Sequence, residues 1–218
     1  MDKVIIAIDG QASTGKSTQA KKLADNLGLN YRDSGAFYRA ITLYLLNSNV
    51  KHDLKISQEI LNQIRIKQDY NEGHFRIFLN DNDVTNKIRG HKVSLSVSNY
   101  AKKPEIRKFV FDQLRKSAES TSIVVDGRDI GTVVFPDANF KFFLIAKPRI
   151  RAERRHKQID DDSVKVDIIE EEIKIRDKTD STREIAPLKK ADDAFKIDVS
   201  DLTIDEVFNK ILQKIKSD

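Results

Sequence analysis

Residues 10–17 read Gly10-Gln11-Ala12-Ser13-Thr14-Gly15-Lys16-Ser17, two glycines separated by four residues and followed by a lysine and a serine. This string suits a phosphate for physical reasons. Glycine lets the backbone fold so that successive amide N–H groups point at one anion. Lys16 stands where an ammonium group reaches β- and γ-phosphates, and Ser17 where a hydroxyl meets Mg²⁺. Thr18 follows in the same turn. The motif implies a nucleoside triphosphate and leaves the reaction open. A GTPase would also need N-K-x-D, and the Asn-Lys pair of Asn86-Lys87-Ile88-Arg89 lacks that aspartate. ATP-driven motors and helicases generally need more than 218 residues. A small-molecule kinase fits the length.

Phosphoryl transfer is catalysed chiefly by positioning and by neutralising charge. An acceptor that is itself a phosphate needs no general base. It needs arginines, whose planar forks grip phosphate oxygens in pairs. Arg39 lies in Asp33-Ser34-Gly35-Ala36-Phe37-Tyr38-Arg39, and Arg128 in Asp126-Gly127-Arg128-Asp129. Arg176, Asp180 and Arg183 have spacings of four and three, so a continuous helix would put them on one face. A surface salt bridge is the other reading of that spacing. Asp126 ends an apolar run, where a carboxylate serving Mg²⁺ through water would sit. A helix cap or turn residue is the alternative there.

The elements that must position these residues are readable. Val4 to Ile8 is a continuous apolar run of the kind found in buried parallel strands. Ala20, Leu23, Ala24 and Leu27 form one helix face, closed by Gly28. A second helix is expected from about Gly35 to Leu46. Alternating apolar residues over 64–84, interrupted by Asn71-Glu72-Gly73, predict a small antiparallel hairpin inserted in a helical stretch. Helices follow over 92–101 and from Pro104 to Ala118. Further strands are expected over 122–126, 140–145 and 194–199. A basic helix opens at Pro148, and a charged helix covers about 164–179. Thr203 and Glu206 form a capping box for a last helix. Alternating strands and helices imply an α/β fold with a parallel sheet.

Composition narrows the classes. There are no cysteines, which excludes disulfides and thiolate metal sites and suits a reducing compartment. The run after Met1-Asp2-Lys3 is too short for a signal peptide, and no stretch is long enough for a membrane helix. A cytoplasmic protein with no membrane partner is expected. His52, His74, His91 and His156 show no ligand spacing. The net charge of +5 fits either ordinary surface excess or a polyanionic ligand. No block of five like charges occurs, so nucleic acid is not an expected partner.

With these residues in view, the chain resembles bacterial cytidylate kinases from end to end. The carriers are GQASTGKST at 10–18, DSGAFYRA at 33–40, DGRDIGTVVFPDA at 126–138 and RDKTDSTREIAPL at 176–188. The resemblance implies transfer from ATP, with Mg²⁺, to CMP or dCMP. UMP, AMP or a small metabolite such as shikimate remain alternative acceptors, and a nucleic-acid-binding module is the rival from another class. The implied fold is a P-loop nucleoside monophosphate kinase: a five-stranded parallel sheet flanked by helices. It forms one domain over 1–218, with a monophosphate-binding insert at about 62–95 and a short lid at about 155–166. A monomer fits.

The resemblance also implies roles. Gly10, Gln11, Ala12, Ser13, Thr14, Gly15, Lys16, Ser17 and Thr18 would bind ATP. Ser34 would contact the monophosphate site, and Arg39 would grip the acceptor phosphate. Ser98 and Arg107 would read the cytosine, with Arg128 at a phosphate and Asp129 on the base. Arg176 and Asp180 would hold the ribose, and Arg183 would sit at the transferring phosphate. Lys16, Arg128 and Arg183 would then be the catalytic groups. The chain departs from the family pattern at Gln11 and Ser13, where proline and glycine are usual. It departs again at Thr179 and Ser181, where some relatives carry further arginines.

Overall fold

The computed structural model describes residues 3–159 and 164–217. Five parallel strands form the main sheet: β1 (Ile5–Gly10), β2 (Asn30–Asp33), β6 (Ile123–Gly127), β7 (Phe140–Ile145) and β8 (Phe195–Asp198). Their order is β2-β6-β1-β7-β8. The β-branched centres of β1 and β6 run side by side, Ile6 beside Val124 and Ile8 beside Asp126, and Ile6, Ile8, Val124 and Val125 have no exposed surface. Strands covered on both faces read as unbroken apolar runs, which is why these segments do not alternate.

Helices α1 (Lys16–Leu27), α2 (Ser34–Asn47), α4 (His91–Ala101), α5 (Pro104–Ala118) and α8 (Ile204–Ser217) surround the sheet. α1 packs on β6 and α8, while α2 packs on α4 and α5. Gly28 ends α1 in the left-handed region at φ 66° and returns its N–H to the Ala24 carbonyl. The capping box forms as expected: Thr203 N–H donates to Glu206 Oε2 at 2.8 Å, and Glu206 N–H to Thr203 Oγ1 at 3.2 Å. A short helix, α3 (Gln58–Asn62), was not signalled by periodicity, because five residues carry too little pattern.

Between α3 and α4 the chain forms a separate antiparallel sheet, β3 (Ile66–Asn71), β4 (His74–Leu79) and β5 (Asn82–Asp83). Glu72 at φ 47° and Gly73 at φ 81° make the tight turn with two left-handed residues that matches strand twist. Phe75, Ile77 and Leu79 of this insert join the main core, and Gln68 and Tyr70 add hydrogen bonds to the main body. Gln68 accepts from Asp33 N–H at 3.0 Å and donates to the Asp33 carbonyl at 2.6 Å. Tyr70 donates to Asp25 of α1 at 2.7 Å, and its ring meets Tyr31 edge-on at 5.2 Å.

Helices α6 (Pro148–His156) and α7 (Val166–Thr182) pack together around Ala152, Ile169 and Ile173, apart from the main core. The segment 155–166 expected to be a lid includes residues 160–163, which lie outside the described residues. No helix among the described residues is long and apolar enough to cross a membrane.

Candidate active site

The loop between β1 and α1 lies at the carboxyl end of the sheet, where ligands bind in open α/β folds. Its glycines have steric reasons. A Cβ on Gly10 (φ 148°) would fall 2.1 Å from the Leu144 carbonyl oxygen, and Gly15 caps α1 at φ 84°. Lys16 folds back over the loop and donates to the Gln11 carbonyl at 2.6 Å. Thr14 donates to the same carbonyl at 3.0 Å. Burial, and then the neighbouring Arg128, push the Lys16 ammonium well below its usual range. A phosphate brought to this loop would supply the missing negative charge. Ser17 Oγ donates to Asp126 Oδ2 at 2.8 Å, and Tyr31 donates to Asp126 Oδ1 at 2.7 Å. Burial, and then Asp33, raise the Asp126 carboxyl to about 6. A hydroxyl paired with a carboxylate is a hard-oxygen donor set of the kind Mg²⁺ takes alongside phosphate oxygens and water. Among the described residues no cluster of three or more His, Cys, Asp or Glu side chains could hold an ion without the nucleotide.

Beside the loop opens a cavity of about 430 Å³. It is lined by Ala12, Ser13, Lys16 and Ser17 on one side and by Ser34, Arg39, Ser98, Arg128, Asp129, Arg176, Asp180 and Arg183 on the other. α2 brings Ser34 and Arg39. Asp33 caps that helix by accepting from Ala36 N–H at 2.9 Å, and Ser34 Oγ donates to the Asp126 carbonyl at 2.7 Å. The approach is close enough that a Cβ on Gly127 would lie 2.6 Å from Ser34 Oγ.

α5 brings Arg107, which is 1% exposed. It forms a short ion pair with buried Asp129, donates to the Ala101 carbonyl at 2.9 Å, and lies over the Tyr38 and Phe111 rings. Asp129 is held in turn by the turn that follows it. Asp9 of β1 accepts from Ile130 N–H at 2.9 Å and Gly131 N–H at 2.7 Å. Burial outweighs those two bonds and raises the Asp9 carboxyl to about 7.

Arg128 donates to Asp180 of α7 at 2.9 Å. Arg183 reaches Asp129 at 3.5 Å and Asp180 at 3.7 Å. Burial alone would raise Asp180, but Arg128, Arg176 and Arg183 hold it below the usual carboxylate range. α7 ends at Thr182, and Arg183 has extended backbone. The expected three-residue face therefore turns the corner at its last member, yet all three side chains line the cavity.

Four guanidinium groups on this cavity have no carboxylate within ion-pair distance among the described residues: Arg39, Arg89, Arg155 and Arg176. Burial, then Arg128 and Arg39, lower Arg176 to about 9. Two of the four were not singled out from the sequence. Arg89 comes from a 3₁₀ turn at Lys87–Arg89 between insert and α4, inside the Asn-Lys-Ile-Arg string read only for its missing aspartate. Arg155 belongs to the basic helix α6, where four closely spaced arginines gave no basis for choosing one. Arg151 of the same helix is buried, and Arg154 donates to the Val199 carbonyl at 2.7 Å.

A parallel sheet whose first loop wraps a buried lysine, faced by guanidinium groups without an ion-pair partner among the described residues, defines a P-loop phosphotransferase. Solved structures agree on the fold. An uncharacterised protein from Eubacterium ventriosum superposes over 100% of both chains with a TM-score of 0.55 at 16% identity. A gluconokinase from Sinorhizobium meliloti gives 0.52 at 11% identity, over 98% of this chain and 92% of that one. The sequence carries the finer assignment. The family model described as cytidylate kinase matches residues 6–217. A cytidylate kinase of Thermosipho melanesiensis is 46% identical over 213 residues, 97% of this chain and 96% of that protein. One from Fusobacterium nucleatum is 42% identical over 219 residues, 99% of each. The chain belongs to the cytidylate kinase family.

Proposed function

We infer that the protein transfers the γ-phosphoryl group of ATP to CMP and dCMP, giving CDP and dCDP. Family membership supports the activity. The observation that carries the acceptor is the pairing of four guanidinium groups, without an ion-pair partner among the described residues, with a buried, oriented Asp129 in one cavity beside the phosphate loop. The cations suit a phosphate, and the carboxylate suits the amino edge of a base.

The loop from Gly10 to Thr18 would cradle the ATP phosphates with its N–H groups and the positive end of α1. Lys16 would follow the phosphoryl group in transfer. Ser17, with Asp126 through water, would hold Mg²⁺, which neutralises phosphate charge when bound. Arg39 and Arg128 would bind the acceptor phosphate, with Ser34 supporting them, and Arg183 would neutralise the transferring oxygens. Arg89 and Arg155 would add to that field. Arg176 and Asp180 would hold the ribose. Ser98 and Arg107 would orient the base against Asp129. An acceptor phosphate is already an anion, so no residue has to remove a proton. Uracil would turn a carbonyl oxygen toward the Asp129 carboxylate, setting two acceptors against each other, which disfavours UMP. The insert over about 62–95 would close on the acceptor nucleotide and exclude water.

The test is ADP release from Mg-ATP with CMP, dCMP, UMP, AMP and GMP at equal concentration. Turnover with CMP and dCMP, well above AMP and GMP, is the expected result. ATP binding without turnover of any monophosphate would redirect the acceptor to another class.

A further inference from the structure

Two charged residues outside the roles above grip the phosphate loop from its flank. Arg151 on α6 is 1% exposed. Its Nη1 donates to the Ala12 carbonyl at 3.0 Å and pairs with Asp177 Oδ2 at 2.6 Å, while its Nε donates to the Ala146 carbonyl at 2.9 Å. Asp177, on α7, uses its other oxygen to accept from Ala12 N–H at 3.2 Å. One ion pair therefore holds both backbone polar groups of Ala12.

The location matters because the next residue is strained. Ser13 has φ 59°, the left-handed region that costs an L-residue with a Cβ. The bonds made by Lys16 and Thr14 tie the loop at Gln11, one residue before Ala12. At Ser13 the backbone is held by its surroundings rather than by its own preference. Asp177 also sits next to Arg176 and three residues before Asp180, both of which line the acceptor cavity. The helix that presents acceptor-side groups is thereby fastened to the donor-side loop.

We propose that Asp177, backed by Arg151, is a positioning residue for the donor nucleotide: it clamps Ala12 and so holds the strained phosphate loop in the shape that receives ATP phosphates. This rests on the assignment of the loop to ATP and of α7 to the acceptor made above. Asp177 touches neither substrate in this scheme, and its effect passes through the loop backbone.

The test uses D177A, D177N, S13G and the double variant S13G/D177A in the full chain. It reads kcat, KM for ATP, CMP binding to the free enzyme, and the thermal midpoint. D177A should lower kcat/KM for ATP by about 10²-fold while CMP binding changes by less than about 2-fold, since small misplacement of a positioned group has large kinetic effects. D177N keeps an acceptor for Ala12 N–H but loses the charge opposite Arg151, and should lose about 10-fold for ATP, as supporting partners of a site do. S13G removes the strain the clamp opposes. The D177A loss should therefore shrink by about 10-fold when measured with S13G, a coupling that a double-mutant cycle isolates. The proposal is overturned if D177A weakens ATP and CMP equally, or if its loss is the same with and without S13G. Should D177A fail to fold, unchanged ATP kinetics in folded D177N overturn it. Wild-type turnover of CMP in the same assay separates the two claims: its absence would remove the acceptor assignment, whereas equal losses remove only the clamp.

Discussion

The donor and acceptor halves of this site are built by opposite means. The phosphate loop is nine consecutive residues whose shape comes from backbone: two glycines that accept no Cβ or left-handed penalty, a helix start, and a lysine folded onto the loop itself. The acceptor half draws single side chains from α2, α4, α5, the loop after β6, and α7, and orients them through ion pairs between buried groups. A contiguous loop keeps its fold when one outside contact is lost, although the clamp at Ala12 sets its working shape. A convergent site of buried charges fails when any partner is removed, because the remaining charge is left in low dielectric. The two halves should therefore respond differently to substitution, the first in rate with little loss of fold, the second in both together.

The largest effect on rate should come from the donor half. Lys16→Met removes a buried ammonium placed over the phosphate loop. Losing one preorganised group of this kind costs about 10²–10³-fold in kcat. Because the uncharged side chain also ends an unfavourable burial, the thermal midpoint should hold or rise. Loss of fold together with activity would break the contrast between the halves.

Asp129→Ala tests the other side. It leaves Arg107 buried without its charge partner, a change worth about 3–5 kcal/mol of stability. Arg183 also loses a partner at 3.5 Å. Denaturant unfolding should show the destabilisation, and the ratio of CMP to UMP turnover should fall. A stable variant with unchanged base preference would remove Asp129 from the role proposed for it.

What could be read from the sequence divides along the same line. The phosphate loop, β1 and α1 are local: an apolar run, a glycine string and one helix face suffice. The partners of the acceptor half are separated by long stretches of chain, and nothing in the spacing of Arg107 and Asp129 shows that they meet. Resemblance to a family supplied those positions, and geometry supplied what resemblance did not. Arg89 was hidden in a string read for another purpose, and Asp177 stood beside two recognised residues without a distinguishing pattern. Its bond to Ala12 spans 165 positions, and periodicity carries no information at that range. Arg151, Arg154 and Arg155 look alike in sequence, yet one is buried under the loop, one caps carbonyls after β8 and one faces the cavity.

A smaller effect links the halves through pH. Asp126 lies between them, with Ser17 on one oxygen and Tyr31 on the other. Its carboxyl is raised to about 6 in the free protein, so the form that serves Mg²⁺ is lost as pH falls through that value, and kcat/KM for Mg-ATP should decline there. The stability term runs the other way. A carboxyl raised from 3.8 to about 6 in the fold contributes stability that is full below the unfolded value and lost as pH rises through the folded one. Asp126→Asn should abolish the acidic decline in kcat/KM for Mg-ATP, at a lower plateau, and flatten stability between those values. An acidic decline that survives in Asp126→Asn would assign the limb to another group, with Asp9, raised to about 7, the next to examine.

The smallest expected effect comes from the residue adjacent to Arg107. Lys108 pairs with Asp112 at 2.7 Å, one turn along α5, with side chains 78% and 55% exposed. The same helix thus carries two Asp-to-base ion pairs from neighbouring positions, one in water and one sealed beneath Tyr38 and Phe111. Water screens the first and leaves it worth under about 0.5 kcal/mol. Asp112→Ala should leave turnover, base preference and pH response as they are, with an unfolding midpoint near that of the unaltered protein. If Asp112→Ala and Asp129→Ala destabilised equally, burial would not be what makes the acceptor half sensitive, and the contrast between the two halves would have to rest on the number of partners each charge has.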